Sequence, residues 1–187
     1  MTKQIVSANL QESNTQGILT IESEHEYMFA GRVFDFHVLA TATNAFTYDV
    51  VMDISAVPNF VHLSAIDVKI TGGPARIFLY EDAQTTGGTT ISVNSLNRLS
   101  ANTSNVTIKT LPTAVTLSGS EIHFDFIPNA NNVGGSNSPS DGTGVNHTIL
   151  KPNTKYILRI INNSGQNESM SIGMTWFEQV GRTYVEG

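Results

Sequence analysis

Apolar and polar residues alternate with a period of two along most of this chain after residue 25. In Arg32-Val33-Phe34-Asp35-Phe36-His37-Val38, the side chains of Phe34, Phe36 and Val38 share one face, while Asp35 and His37 share the other. That is the pattern of a half-buried strand, because successive side chains of a strand point to opposite sides of its sheet. Glu121-Ile122-His123-Phe124-Asp125-Phe126-Ile127 repeats the design and predicts a strand with Ile122, Phe124 and Phe126 turned inward. The cleanest alternation is near the end, where Met170, Ile172, Met174 and Trp176 interleave with Ser169, Ser171, Gly173 and Thr175. Two runs are apolar on both faces: Ala75-Arg76-Ile77-Phe78-Leu79-Tyr80 and Tyr156-Ile157-Leu158-Arg159-Ile160-Ile161. They are expected to be central strands covered on both sides, or strands lining an interface between subunits.

Further strands are predicted over 47–56, 59–71 and 105–111, with weaker ones at 4–8, 17–22 and 89–93. No window has a helical moment, although Ser95-Leu96-Asn97-Arg98-Leu99 has the makings of one helical turn. Pro58, Gly72-Gly73-Pro74, Gly87-Gly88, Pro112, Pro128 and Pro152 fall between the strong runs, where turns are needed. Many short strands so punctuated predict an all-β fold, an antiparallel sandwich or jelly roll with long polar loops. The chain divides into an N-terminal arm or pair of edge strands (1–25), a β domain (26–180) and a short tail (181–187). Two segments exceed ordinary loop length, 82–104 and 128–153, and loops of that size in compact domains usually have a function of their own.

Composition narrows the class. Thr, Ser and Asn together fill 55 of 187 positions, whereas charged residues make up only 14 % against a usual figure of roughly 25 %. Small polar residues of this kind suit strands and turns better than helices, which excludes a coiled coil or helical bundle. The net charge of −6 argues against a nucleic-acid partner, which requires a basic surface to displace counterions. The absence of cysteine removes disulfides, thiolate metal sites and thiol nucleophiles together. No apolar run approaches the roughly 18 residues of a membrane span, and Met1-Thr2-Lys3-Gln4-Ile5-Val6 has no apolar export core, so neither a membrane nor Sec-type export is expected. Five Asn-x-Ser/Thr sequons, at Asn102, Asn105, Asn146, Asn162 and Asn167, are what this composition produces by chance.

Candidate chemistry is thin. The histidines are His25, His37, His62, His123 and His147, with no His-x-His pair of the kind a cupin metal site uses. His37 and His123 each neighbour an Asp on the polar side of a strand, where an exposed or interface position is expected. There is no Gly-x-Ser-x-Gly elbow. Asn137-Ser138-Pro139-Ser140-Asp141-Gly142 lacks the alternating acids and terminal Glu of a calcium loop. Gly134, Gly135, Gly142 and Gly144 open no helix carrying a lysine, so a phosphate loop is not indicated. No enzyme activity, cofactor or metal is expected. What remains is an interaction or structural module.

Two blocks resemble tailed-bacteriophage virion proteins. The first runs Phe78-Leu79-Tyr80-Glu81, Gly87-Gly88-Thr89, Asn94-Ser95-Leu96-Asn97-Arg98 and Ser100-Ala101-Asn102-Thr103-Ser104. In those proteins a strand ending in Tyr-Glu is followed by a Gly-Gly-Thr turn and an Asn-Arg-Asn-Arg-like segment. The second runs from Ile149-Leu150-Lys151-Pro152-Asn153-Thr154 through Tyr156–Ile160 and Asn162-Asn163-Ser164-Gly165 to Thr175-Trp176-Phe177-Glu178. The resemblance spans about residues 60 to 178. It implies a head decoration (cement) or other capsid-stabilising protein of jelly-roll type, often trimeric, seated on the outer surface of the virion and made in the host cytoplasm. It carries no catalytic residues. The expected partners are the major capsid protein and further copies of this chain, as a homotrimer. The segment 94–98 lacks one cation of the family pattern, which weakens any anionic contact there.

In that role Gln4, Ile5, Val6 and Leu10 are the candidate attachment arm, adding a strand to an exposed sheet edge. Tyr156, Leu158 and Ile160 are the candidate subunit interface. The alternative is a head-fibre or tail-fibre tip that binds a receptor or host-surface glycan, using the long loops and Tyr80, Tyr156 and Tyr184.

Overall fold

The computed structural model describes residues 26–54, 60–128 and 148–179, and all of them belong to a β-sandwich fold with one helical turn at 26–29. The strands, in chain order, are β1 (Val33–Ala42), β2 (Thr47–Asp53), β3 (Phe60–Ile70), β4 (Ala75–Tyr80), β5 (Ala83–Thr86), β6 (Thr89–Ile91) and β7 (Asn94–Ser95). They continue with β8 (Thr107–Thr110), β9 (Ala114–Leu117), β10 (Glu121–Ile127), β11 (Thr148–Leu150), β12 (Lys155–Asn162) and β13 (Glu168–Gln179). Five form one sheet in the order β11-β3-β13-β1-β7, and six form a second in the order β10-β4-β12-β2-β8-β6. Every pairing is antiparallel.

The two sheets close on a single core. Trp176, Phe36, Met52, Ile66, Ile77, Tyr156 and Leu158 are fully buried in it. Strand β13 shows why its sequence folds this way: Met170, Ile172, Met174 and Trp176 all point into that core, and the small residues Ser171, Gly173 and Thr175 take the opposite face, half-buried or buried. Phe34 and Phe36 of β1 lean on the Trp176 ring at 6.2 and 6.5 Å between centroids. Side chains of this size contribute about 1.5–3 kcal/mol each when fully buried, so β13 and β1 are a major source of stability. The alternations predicted for 33–38 and 169–176 hold.

Two buried polar side chains of the framework are fully engaged. Asn162, fully buried at the end of β12, donates its amide to Ala42 O, Thr43 O and Gln166 O and accepts from the Ser164 N–H. It thereby ties the β1–β2 turn to the turn before β13. Glu178 on β13 is also buried, and its carboxylate accepts from Ser104 Oγ (2.5 Å), Asn105 N and Nδ2, and Trp176 Nε1. Each of these bonds replaces one that water would otherwise supply.

Three expectations are corrected here. Residues 82–104 are no plain loop: the 40 residues between β4 and β10 carry β5 to β9. From this excursion β8 and β6 extend the six-stranded sheet past β2, and β7 extends the other sheet past β1. The helical turn expected at 95–99 is instead strand β7 followed by a turn in which the Leu99 N–H donates to Asn97 Oδ1 at 3.0 Å. Asn competes well for such local bonds, which is why it favours turns over helix interiors. The third correction concerns the facing of β10, taken up below. The weak strands at 4–8 and 17–22, the arm 1–25, the tail 181–187 and positions 129–147 of the second long segment lie outside the described residues. The last part of that segment forms β11 and the turn into β12.

Candidate functional site

The solvent side of the six-stranded sheet has two halves. Over β2 and β12, the β5–β9 ladder folds back as a cover, and Ala83, Val115 and Leu117 pack on Val51 and Ile157. Beyond that cover, Arg159 of β12 spans to Asp49 of β2 with two parallel bonds of 2.8 Å, Nε to Oδ1 and Nη2 to Oδ2. The Asp49 carboxylate holds the guanidinium proton more firmly than usual, chiefly through these bonds. Over β4 and β10 nothing among the described residues covers the sheet.

That uncovered half is aromatic. Ladder partners in antiparallel strands share a face, and Phe124 pairs with Phe78 while Phe126 pairs with Arg76. Arg76 and Phe78 lie opposite to the core-facing Ala75, Ile77 and Leu79, so Phe124 and Phe126 point outward. The Phe78 ring stands 5.1 Å from Phe124 and 5.8 Å from Tyr80. Phe124 is 51 % exposed, Phe126 47 % and Ile122 38 %. The inward orientation expected for Phe124 and Phe126 is therefore wrong, and Ile122, unpaired at the bulge between Glu121 and His123, is exposed as well. His123 and Asp125 take the core-side face instead, opposite Leu79 and Ile77. The inversion is tolerated because β10 lies at the end of the sheet, where its inner face is only partly enclosed.

The three open side chains of β10 expose roughly 250 Å² of apolar surface, taking about 200 Å² per large side chain. That is a little below the largest patch on a typical monomer, roughly 300–600 Å², which often has a function. It matches the centre of a protein interface rather than a whole one. Tyr80 borders the patch half-buried, and burial followed by the neighbouring Glu121 carboxylate pushes its hydroxyl above the ordinary phenol value. It stays a neutral hydrogen-bonding group at physiological pH.

On the other sheet an open groove of about 610 Å³ crosses the solvent side of β1, β13 and β3, lined by Leu39, Thr41, Lys69, Thr71, Ser169 and Ser171. Beside it, the His37 ring lies over Gly173, its ladder partner, where any Cβ would collide with Nδ1 and Cε1. Its Nε2 is 3.5 Å from Asp35 Oδ2. Among the described residues no three His, Asp or Glu side chains gather as a metal-competent group.

Tyr156, Leu158 and Ile160, expected at a subunit interface, are instead core residues, each no more than 1 % exposed. The Tyr156 hydroxyl accepts from the Lys151 N–H at 2.7 Å. The alternate residues Ile157, Arg159 and Ile161 form the outer side of β12, and Ile157 is covered by the hairpin. Gln4, Ile5, Val6, Leu10 and Tyr184 lie outside the described residues. The sequence did offer a sign of the patch: a central strand with Phe78 and Tyr80 on its outer side needs neighbours of the same character. No family model matches the chain, and no curated protein is significantly similar to it.

Proposed function

We propose that this protein is a non-enzymatic structural component of a tailed-phage virion, a head decoration protein. It binds the outer capsid surface through the major capsid protein, as a homo-oligomer, and stabilises the shell. The observation that carries this reading is the aromatic face of β4 and β10, where Phe124 and Phe126 stand open beside Phe78 and Tyr80 in a contiguous row. High copy number on a repeating shell lets modest contacts of this kind add up. The sequence blocks 78–104 and 149–178 support the phage assignment. We also read the sandwich as a jelly roll: β1-β13-β3-β11 faces β2-β12-β4-β10, so strands consecutive in this set alternate between the sheets except at β4 and β10, which pair within one sheet.

The test is a reconstruction of the particle that encodes the chain, combined with heat and osmotic challenge of particles lacking it. The reading expects many copies on the head and earlier rupture without them. Absence from purified virions, or equal resistance with and without the protein, would sink it.

A second reading, a receptor- or glycan-binding fibre tip, draws on the groove across β1, β13 and β3, whose floor of Ser169 and Ser171 is open to hydroxyl-rich ligands. Low copy number at the tail, with cell-wall glycan binding lost on Ser171→Trp, would favour it.

A further inference from the structure

We infer that β10 pairs with β10 of a second copy, antiparallel, about a two-fold axis passing through Phe124. The inference rests on this edge alone and stands whether or not the particle assignment does.

Strand β10 ends the order of its sheet, and among the described residues no strand pairs with its outer side. An antiparallel partner uses only every second residue of a strand, so the remaining backbone groups of β10 face outward. One of its donors, the Phe126 N–H, is taken up by the adjacent Asp125 carboxylate at 2.6 Å. An exposed edge flanked by an apolar row invites another strand, and a two-fold contact requires that strand to be complementary to itself.

Register decides the matter. Pairing centred on Phe124 sets Phe124 against its own copy and brings Phe126 to the bulge at Ile122, so the apolar surfaces of the two chains merge on the outer face. The same register sets His123 opposite Asp125 of the other copy, twice, on the inner face. His123 Nε2 is a buried atom with no hydrogen-bond partner among the described residues, and with the imidazole turned toward the edge the carboxylate of the second copy supplies one. Shifting the centre to Asp125 would oppose two aspartates, and shifting it to His123 would oppose two histidines. A slip to a centre between residues would place Phe124 opposite Asp125 or opposite His123. Only the Phe124 register satisfies both faces. The bulge between Glu121 and His123 then ends the regular stretch. The continuous sheet so formed would have twelve strands.

A chain without cysteine gives a direct readout. In the full-length protein, Phe124→Cys places two thiols opposite each other within disulfide reach, and mild oxidation should yield a covalent dimer. Phe126→Cys places its pair four residues apart, about 13 Å at 3.3 Å per residue, and should not cross-link. Light scattering of the unaltered chain should give the mass of two copies. His123→Glu should weaken dimerisation at least tenfold by opposing two carboxylates, and adding Asp125→Lys should restore it, with far-UV circular dichroism unchanged throughout. A monomer or trimer by light scattering, equal cross-linking at 124 and 126, or no rescue by the double variant would each overturn the pairing. Particle occupancy is scored separately, so failure here and failure of the decoration reading are distinct results.

Discussion

Strands β13 and β10 carry the same kind of sequence and do opposite things with it. Both alternate large apolar residues with small or polar ones. In β13 the apolar set, Met170 to Trp176, lies in the core between the sheets. In β10 the set Phe124 and Phe126 faces away from it, and His123 and Asp125 face in. The difference is position: β13 is the central strand of its sheet, with neighbours on both sides, whereas β10 is an end strand. A period of two states that one face is meant to be covered. Which face, and by whom, is settled by where the strand lies in the sheet and by what else meets it.

Substitutions that remove apolar volume should separate the two strands sharply. Trp176→Ala, at a site with no exposure and two aromatic neighbours, should cost about 3–5 kcal/mol. For a domain of this size that lowers the melting temperature by on the order of 10 °C, readable by far-UV circular dichroism. A drop of only a few degrees would mean that the core can collapse around the loss, and the contrast with β10 would weaken.

Next in size is the polar anchor on the same strand. Glu178→Ala strands the donors of Ser104, Asn105 and Trp176 in a buried site, at a cost of roughly 2–3 kcal/mol. Because that carboxylate pins the excursion before β8, amide exchange should rise at residues 101–106 before it rises in β13. Uniform change across both would show that the anchor is not local.

These positions also show what sequence could and could not reveal. The strands that alternate over six or more residues, such as β1, β3, β10 and β13, were legible because their pattern cannot be mistaken for a helix. Strands β5, β7, β9 and β11 span two to four residues and are held by distant partners, Ala83 by Leu117 for instance, so no local pattern announces them. Tyr156, Leu158 and Ile160, expected at an interface, are core residues. On β12 both faces are apolar, so Tyr156 and Ile157 look alike until the hairpin is known to cover one and the second sheet the other. For β10 the same ambiguity hid the aromatic face. The tying roles of Glu178 and Asn162 were invisible because the partners they hold across the fold, Ser104 and Ala42, are 74 and 120 residues away.

The two tyrosines on either side of the six-stranded sheet extend the contrast to pH. Burial pushes the Tyr156 hydroxyl above the ordinary value near 10, more than its backbone hydrogen bond lowers it. A raised value in the folded state means that the unfolded chain loses its proton first. The contribution is therefore intact below about pH 10 and lost as pH rises from there through the folded value. Tyr156→Phe should flatten the fall in stability above pH 10, after a neutral-pH loss of about 1 kcal/mol for the Lys151 bond. Tyr80→Phe, on the more open outer face, should flatten it less. Denaturant titrations at pH 7 to 11 would decide, and equal effects from both would break the distinction between the faces.

The smallest effect expected is the most telling. Phe124→Ser removes a ring that is half in solvent and touches Phe78 on one side only. In dilute protein, where copies are apart, it should change unfolding free energy by no more than about 0.5–1 kcal/mol. The same replacement by serine at Met174, directly inside β13, should cost several times more. Raising the protein concentration separates the alternatives further. A partner that binds only the folded chain stabilises it by mass action, so the melting temperature of the parent should climb with concentration while that of Phe124→Ser stays flat. If instead Phe124→Ser is as damaging as the Met174 change in dilute solution, the aromatic face is already covered within one chain. Strand β10 would then differ from β13 only in which part of its own chain buries it.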